Sequence, residues 1–154
     1  MQYFPSESVS ETDPGGQAEL EVWERLKDAF GRDDDGVLYH QYPIMDKGGH
    51  RFDRKPDFVL LHDELGLIIV ECKGYTIDQI DYIAGDTWHL RGMSQERASP
   101  LEQARDQGFH LQDSFKRERK LRDGRQTKIP MNVFVALPNI SRSEWDQRDL
   151  NAAP

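Results

Sequence analysis

From residue 17 to residue 30 the apolar positions recur every three or four residues. Leu20, Trp23, Leu26 and Phe30, with Val22 beside them, line one face of an amphipathic helix. The period then changes. Residues 37–44 are strand-like, and the apolar runs 56–62 and 65–73 are separated only by Asp63-Glu64, the spacing of a β-hairpin. These two runs are the densest core material in the chain. Strand-like pieces at 77–83 and 87–91 lead to Ser99-Pro100, a helix start with proline at the first helical position. A second helix is predicted from about residue 100 to about residue 121. Residues 131–137 (MNVFVAL), set between Pro130 and Pro138, read as a buried strand. The order is α-β-β-β-α-β with a small insertion after the third strand, which places the chain in the α/β class. Residues 1–15 read as a flexible leader, 16–140 as the folded domain and 141–154 as a polar tail or linker.

The hairpin register has a chemical consequence. With its turn centred on Glu64, residues whose numbers sum to 128 face each other, pairing Leu61 with Leu67, Val59 with Ile69 and Asp57 with Glu71. On the third strand Leu65, Leu67 and Ile69 share a face with Glu71 and Lys73, so an apolar row ends in an acid and a base, while Cys72 points the other way. Burying an unpaired carboxylate or ammonium is costly, so this row needs a reason. One explanation is a structural Glu–Lys pair solvated at the strand end. The other is a divalent-metal site for phosphodiester cleavage, because Mg²⁺ takes one or two carboxylates with waters and phosphate oxygens, and a neighbouring Lys can orient water and offset developing charge.

Length and composition narrow the setting. A chain of 154 residues supports one domain. It has no apolar run of membrane-spanning length and no secretory-signal pattern at its start, which points to a cytoplasmic protein. The single cysteine, Cys72, excludes a disulfide framework and a Cys-cluster zinc site. His40, His50, His62, His89 and His110 are scattered without a two-His helical motif, which argues against zinc. The net charge of −8 at first opposes a nucleic-acid partner. Its distribution changes that inference: residues 1–50 carry 4 basic and 11 acidic side chains, residues 51–100 carry 6 and 9, and residues 101–154 carry 10 and 8. The excess acid is largely N-terminal.

The motifs resemble those of the nuclease-related domain (NERD) branch of the PD-(D/E)XK nucleases. They are Pro56-Asp57, then Glu71-Cys72-Lys73 after 13 intervening residues; Ala18-Glu19-Leu20-Glu21-Val22-Trp23 on helix one; Trp88; and Pro100-Leu101-Glu102-Gln103-Ala104 opening helix two. The resemblance covers roughly residues 16–138. It implies a restriction-endonuclease-like core with a mixed central sheet flanked by helices, and Mg²⁺- or Mn²⁺-dependent hydrolysis of DNA with weak sequence specificity. The metal would be held by Asp57, Glu71 and the Cys72 backbone carbonyl, with Glu19 supporting it or a second ion. Lys73 would position the attacking water, and Gln103 would position Lys73, the water or the DNA backbone. The resemblance further implies a prokaryotic DNA-processing or phage-defence protein with a helicase or other module in cis or trans. RNA as substrate, a homodimer, and a non-catalytic nucleic-acid-binding or docking module on the same fold stay open. Two departures stand out: Ala18 replaces a glycine, and Gln107 occupies the position where related nucleases carry a tyrosine four residues after the glutamine.

Several residues carry two readings at this point. Glu19 lies near the apolar face of helix one, where it either answers the helix dipole or reaches toward the site. Gln103 is either a solvated first-turn residue or a positioning group. Lys116, Arg117, Arg119, Lys120, Arg122, Arg125 and Lys128 form a basic segment that is either a solvated face or a phosphate track, to which Arg51, Arg54 and Lys55 could add. Trp23 reads as core, and Tyr75 is the better candidate for stacking on a base.

Overall fold

The computed structural model describes residues 1–4, 14–31, 34–44, 55–93 and 97–150. Strands β1 (Gln2–Phe4), β2 (Gly36–His40), β3 (Phe58–His62), β4 (Gly66–Cys72) and β10 (Met131–Ala136) form a mixed sheet in the order β1-β2-β3-β4-β10. The pairs β2–β3 and β3–β4 are antiparallel, while β1 on β2 and β10 on β4 are parallel. The hairpin register is the expected one, with Leu61 opposite Leu67 and Val59 opposite Ile69.

Period-2 alternation along β4 sends its side chains to two cores. Val70 and Cys72 join Leu38, Phe58 and Leu60 under helix α1 (Pro14–Ala29), which buries Ala18, Val22 and Trp23. The Trp23 ring stacks on Phe58 at 6.2 Å, and burying a side chain of that size contributes about 1.5–3 kcal/mol. Leu67 and Ile69 face the other way, under helix α2 (Pro100–Phe115), whose Ala104 and Leu111 complete the second core. Ser99 caps α2, its Oγ accepting from Leu101 N at 3.2 Å. Gly108 lets α2 approach the sheet, because a Cβ there would run into Met131 Sδ.

Between β4 and α2 the chain forms a three-stranded unit of β5 (Ile80–Ala84), β6 (Thr87–Leu90) and β7 (Arg97–Ala98). This is the insertion expected from the strand-like pieces. The segment read as a polar tail instead folds onto it. Helix α3 (Arg142–Gln147) starts at a Ser141–Glu144 capping box, and Leu150 is 4% exposed in a third core with Ile80, Trp88 and Leu90. A polar sequence concealed this because the apolar contacts come from Trp145 and Leu150 alone among the described residues 141–150, with Arg148 adding a hydrogen bond to the Ile80 carbonyl at 3.2 Å.

Three further expectations need correction. The first residues, assigned to the leader, form β1, and Tyr3 donates to the Phe30 carbonyl at 2.6 Å. Helix α2 ends at Phe115, short of residue 121, because residues 116–120 are all charged and leave no apolar face to bury; a 3₁₀ turn and the short hairpin β8 (Arg122–Asp123) and β9 (Gln126–Thr127) follow. Strand β10 is the open edge of the sheet rather than a fully buried strand. Its Phe134 is 53% exposed beside an apolar groove of about 940 Å³ that α1 leaves uncovered.

The β3–β4 turn ends at Gly66, whose φ of +76° favours glycine and whose absent Cβ would lie 2.5 Å from the Pro130 carbonyl oxygen. Gly66→Ala is expected to cost about 2–4 kcal/mol, read as a lower urea midpoint at unchanged slope. An unchanged midpoint would show that Pro130 yields freely.

Candidate active site

The ends of β2, β3 and β4 meet the N-termini of both long helices, and the charged residues collect there. The backbone of Asp57, just ahead of β3, is fixed by Gln41 N, which donates to its carbonyl at 2.8 Å. Its carboxylate accepts from Cys72 N at 2.7 Å. Glu71, 2% exposed, continues the row of Leu67 and Ile69 beneath α2, as the register requires. Its Oε1 accepts from Lys73 Nζ and from Gln103 Nε2, each at 2.5 Å. Its Oε2 is buried with no hydrogen-bond partner among the described residues.

Gln107 follows Gln103 by one turn of α2 and is 3% exposed, with both amide atoms buried and unpartnered. It lies near enough to Glu71 to favour the charged form of that carboxylate. The position expected to lack a stacking tyrosine is therefore a second amide turned to the same acid. The spacing of two glutamines four apart was the available signal, since residues i and i+4 share a helix face.

Burial sets the electrostatics. Desolvation, then repulsion from Glu71, pushes Asp57 up from 3.8 to about 7, against the hydrogen bond from Cys72 N. Desolvation also raises Glu71, with Lys73 opposing it. Burial pulls Lys73 down, but the hydrogen bond and charge of Glu71 outweigh it, so the ammonium is held above its ordinary range. The Cys72 thiol is pushed to about 12 by burial and by the charge of Asp57, which keeps it neutral.

Glu19 stands at the edge of this group. It is paired with His40 Nε2 at 2.6 Å and lies 3.4 Å from Gln41 Nε2, and the His40 bond holds its carboxyl below the usual range. His40 was not among the expected site residues. Its placement follows from the antiparallel β2–β3 register, which sets His40 opposite Phe58 and hence beside Asp57. Gln41 turns the chain there with φ of 52°, a conformation uncommon for a residue with a side chain.

Other expected residues lie elsewhere. Lys55 is exposed two residues before Asp57, and Tyr75 follows the end of β4 and lines the clefts beside Lys73. Lys116, Arg117, Arg119 and Lys120 lie at the far end of α2, about 20 Å along the helix from Gln103. Lys116 pairs with Asp113 at 2.8 Å. Arg51 and Arg54 fall outside the described residues. Trp23 is core, as expected.

Asp57 and Glu71 are the oxygen donors that could hold a hard cation here. Among the described residues, no group of three or more His, Cys, Asp and Glu side chains stands close enough together to hold one. No helix among them is long and apolar enough to cross a membrane.

A mixed five-stranded sheet with a helix on each face, ending in an acid–Lys pair on a central strand, is compatible with a restriction-endonuclease-like core. The family model for the nuclease-related domain matches residues 14–138, and the chain belongs to that family. No curated relative and no solved structure matches it.

Proposed function

We propose that this domain is a divalent-metal-dependent nuclease that hydrolyses DNA phosphodiester bonds with low sequence specificity. The observation that carries this reading is the Glu71 carboxylate, buried among apolar neighbours with one oxygen held by Lys73 and Gln103 and the other uncommitted. A buried acid in that state, close enough to Asp57 to raise its pKa, suits coordination of a cation. Asp57 and Glu71 would hold Mg²⁺ or Mn²⁺, with the Cys72 carbonyl and Glu19 in support. When bound, the ion would polarise the scissile phosphate and lower the pKa of the attacking water.

The chain's own residues do the rest. Gln103 fixes one oxygen of Glu71, so the second stays free for a ligand. Lys73 keeps its proton beside two carboxylates, so its ammonium can orient water and offset charge developing on phosphate oxygens. The buried neutral Cys72 thiol supplies no nucleophile. Nothing in the chain is a recognisable base-reading motif, so contacts to the backbone dominate. With a net charge of −8, the isolated domain would bind DNA modestly and in a salt-sensitive way, and a helicase or similar module in a larger DNA-processing or phage-defence protein would deliver the substrate.

A second reading, a non-catalytic docking module, is favoured by the absence of a ready three-ligand cluster among the described residues. The two separate in one assay. Purified protein with Mn²⁺ should cut plasmid or single-stranded DNA, with RNA run in parallel, and calorimetry should detect the ion. If it neither cuts nor binds Mn²⁺, the docking module replaces the nuclease.

A further inference from the structure

Beside Lys73 the structure holds a second cleft, of about 430 Å³, lined by Lys73, Tyr75, Trp88, Arg97, Pro100 and Gln103, together with Ala98. It adjoins the cleft of about 380 Å³ that contains Glu19, Asp57 and Cys72, and Lys73 and Tyr75 line both. In a chain of net charge −8, the lining of this second cleft has two cations and no carboxylate among the described residues. Arg97 is exposed, with no ion-pair partner among the described residues.

Its aromatic wall is firmly placed. The Tyr75 and Trp88 rings lie 6.4 Å apart, and Trp88 is backed by Trp145 at 6.1 Å. The turn before β6 is tied to the start of α2, where Ser99 N donates to the Asp86 carbonyl at 2.7 Å, and the residue before Tyr75 is held by Asn139, which donates to the Gly74 carbonyl at 2.9 Å. The cleft has a size suited to one small ligand and combines aromatic side chains with an exposed guanidinium. Aromatic faces accept any base, and Arg97 suits a phosphate. Bases of an intact duplex are stacked inside it and cannot enter such a cleft. An unpaired nucleotide can.

Resting on the nuclease reading, which puts a phosphodiester at Lys73, we propose that this cleft takes one unpaired nucleotide of the strand being cut, with its base against Tyr75, which the buried Trp88 backs, and its phosphate toward Arg97. The preferred substrate is then single-stranded DNA or the unpaired end of a duplex.

The test uses the full chain and two fluorescein-labelled probes, a twelve-nucleotide oligothymidylate and a twelve-base-pair duplex. Binding is read by anisotropy in EDTA, and cleavage separately with Mn²⁺. The single strand should bind at least about tenfold tighter than the duplex. Arg97→Glu, a change at an exposed side chain, should weaken single-strand binding about tenfold or more, and Ala98→Phe, which fills the cleft, should do the same while far-ultraviolet circular dichroism stays unchanged. Equal affinity for both probes, or single-strand binding unaltered in Arg97→Glu, overturns the proposal. Cleavage by the wild type alongside that result leaves the nuclease reading standing. Variant-sensitive single-strand binding without any Mn²⁺ cleavage has the reverse meaning: the cleft is a nucleotide site and the nuclease reading fails.

Discussion

Glu71→Gln and Lys73→Ala should each lower metal-dependent DNA cleavage by at least about a hundredfold, the scale on which removal of one preorganised electrostatic group acts. Neither change should unfold the protein. In Glu71→Gln the new amide oxygen can still accept from Gln103 Nε2, and a buried charge with an unpartnered oxygen is gone, so the melting temperature should hold or rise. In Lys73→Ala the counter-cation is lost from an acid whose pKa burial already raises, and the acid can take up a proton rather than remain charged. Circular dichroism with a timed plasmid-nicking assay checks both points. A variant that cuts at the wild-type rate would remove its residue from the chemistry.

Asp57→Asn should melt roughly 5–10 °C higher than the wild type at pH 8 without divalent ions. The cause is the carboxyl held near 7 in the folded chain and near 3.8 when exposed. Between those values the folded form keeps a proton that the unfolded form has released. The stability from this group is therefore fully present below about pH 3.8 and lost as pH rises through about 7, a difference of up to about 4 kcal/mol. An asparagine carries no charge to bury and can still accept from Cys72 N. Differential scanning fluorimetry from pH 5 to pH 8.5 should show the two curves converging toward acid. Millimolar Mn²⁺ should raise the wild-type melting temperature at pH 8 and leave the variant nearly unmoved. Parallel curves across the range would show that Asp57 is not strained by its surroundings.

How much of this was legible in the sequence differs from element to element. The β3–β4 register could be read directly, because two apolar runs two residues apart admit few pairings and a one-residue slip would exchange the side chains meant for the two cores and turn Glu71 away from α2. That register carries Asp57 and Glu71 to one place, and the Ser99-Pro100 start of α2 brings Gln103 onto Glu71. His40 escaped because its partner, Glu19, lies on another element and forms no local motif with it. The exposed side of β10 escaped because a run such as MNVFVAL is equally apolar at a sheet's centre and at its edge. The basic residues Lys116, Arg117, Arg119 and Lys120 were legible as charge but not as position, since the length of α2 decides how far they stand from the acids.

The parallel β10–β4 pairing also sets an order of events in time. Residues 67 and 131 are partners although most of the domain's second half lies between them, whereas β3 and β4 are joined by a short turn. Closing the longer loop is the larger entropic step, so the hairpin can form early while β10 docks only after the insertion and α2 have been laid down. Until α2 is in place the Glu71 side of β4 is open to water and its carboxylate is an ordinary solvated acid. The unusual electrostatics of the site are thus among the last properties the chain acquires as it folds, and a partly folded molecule would lack them even with the hairpin complete.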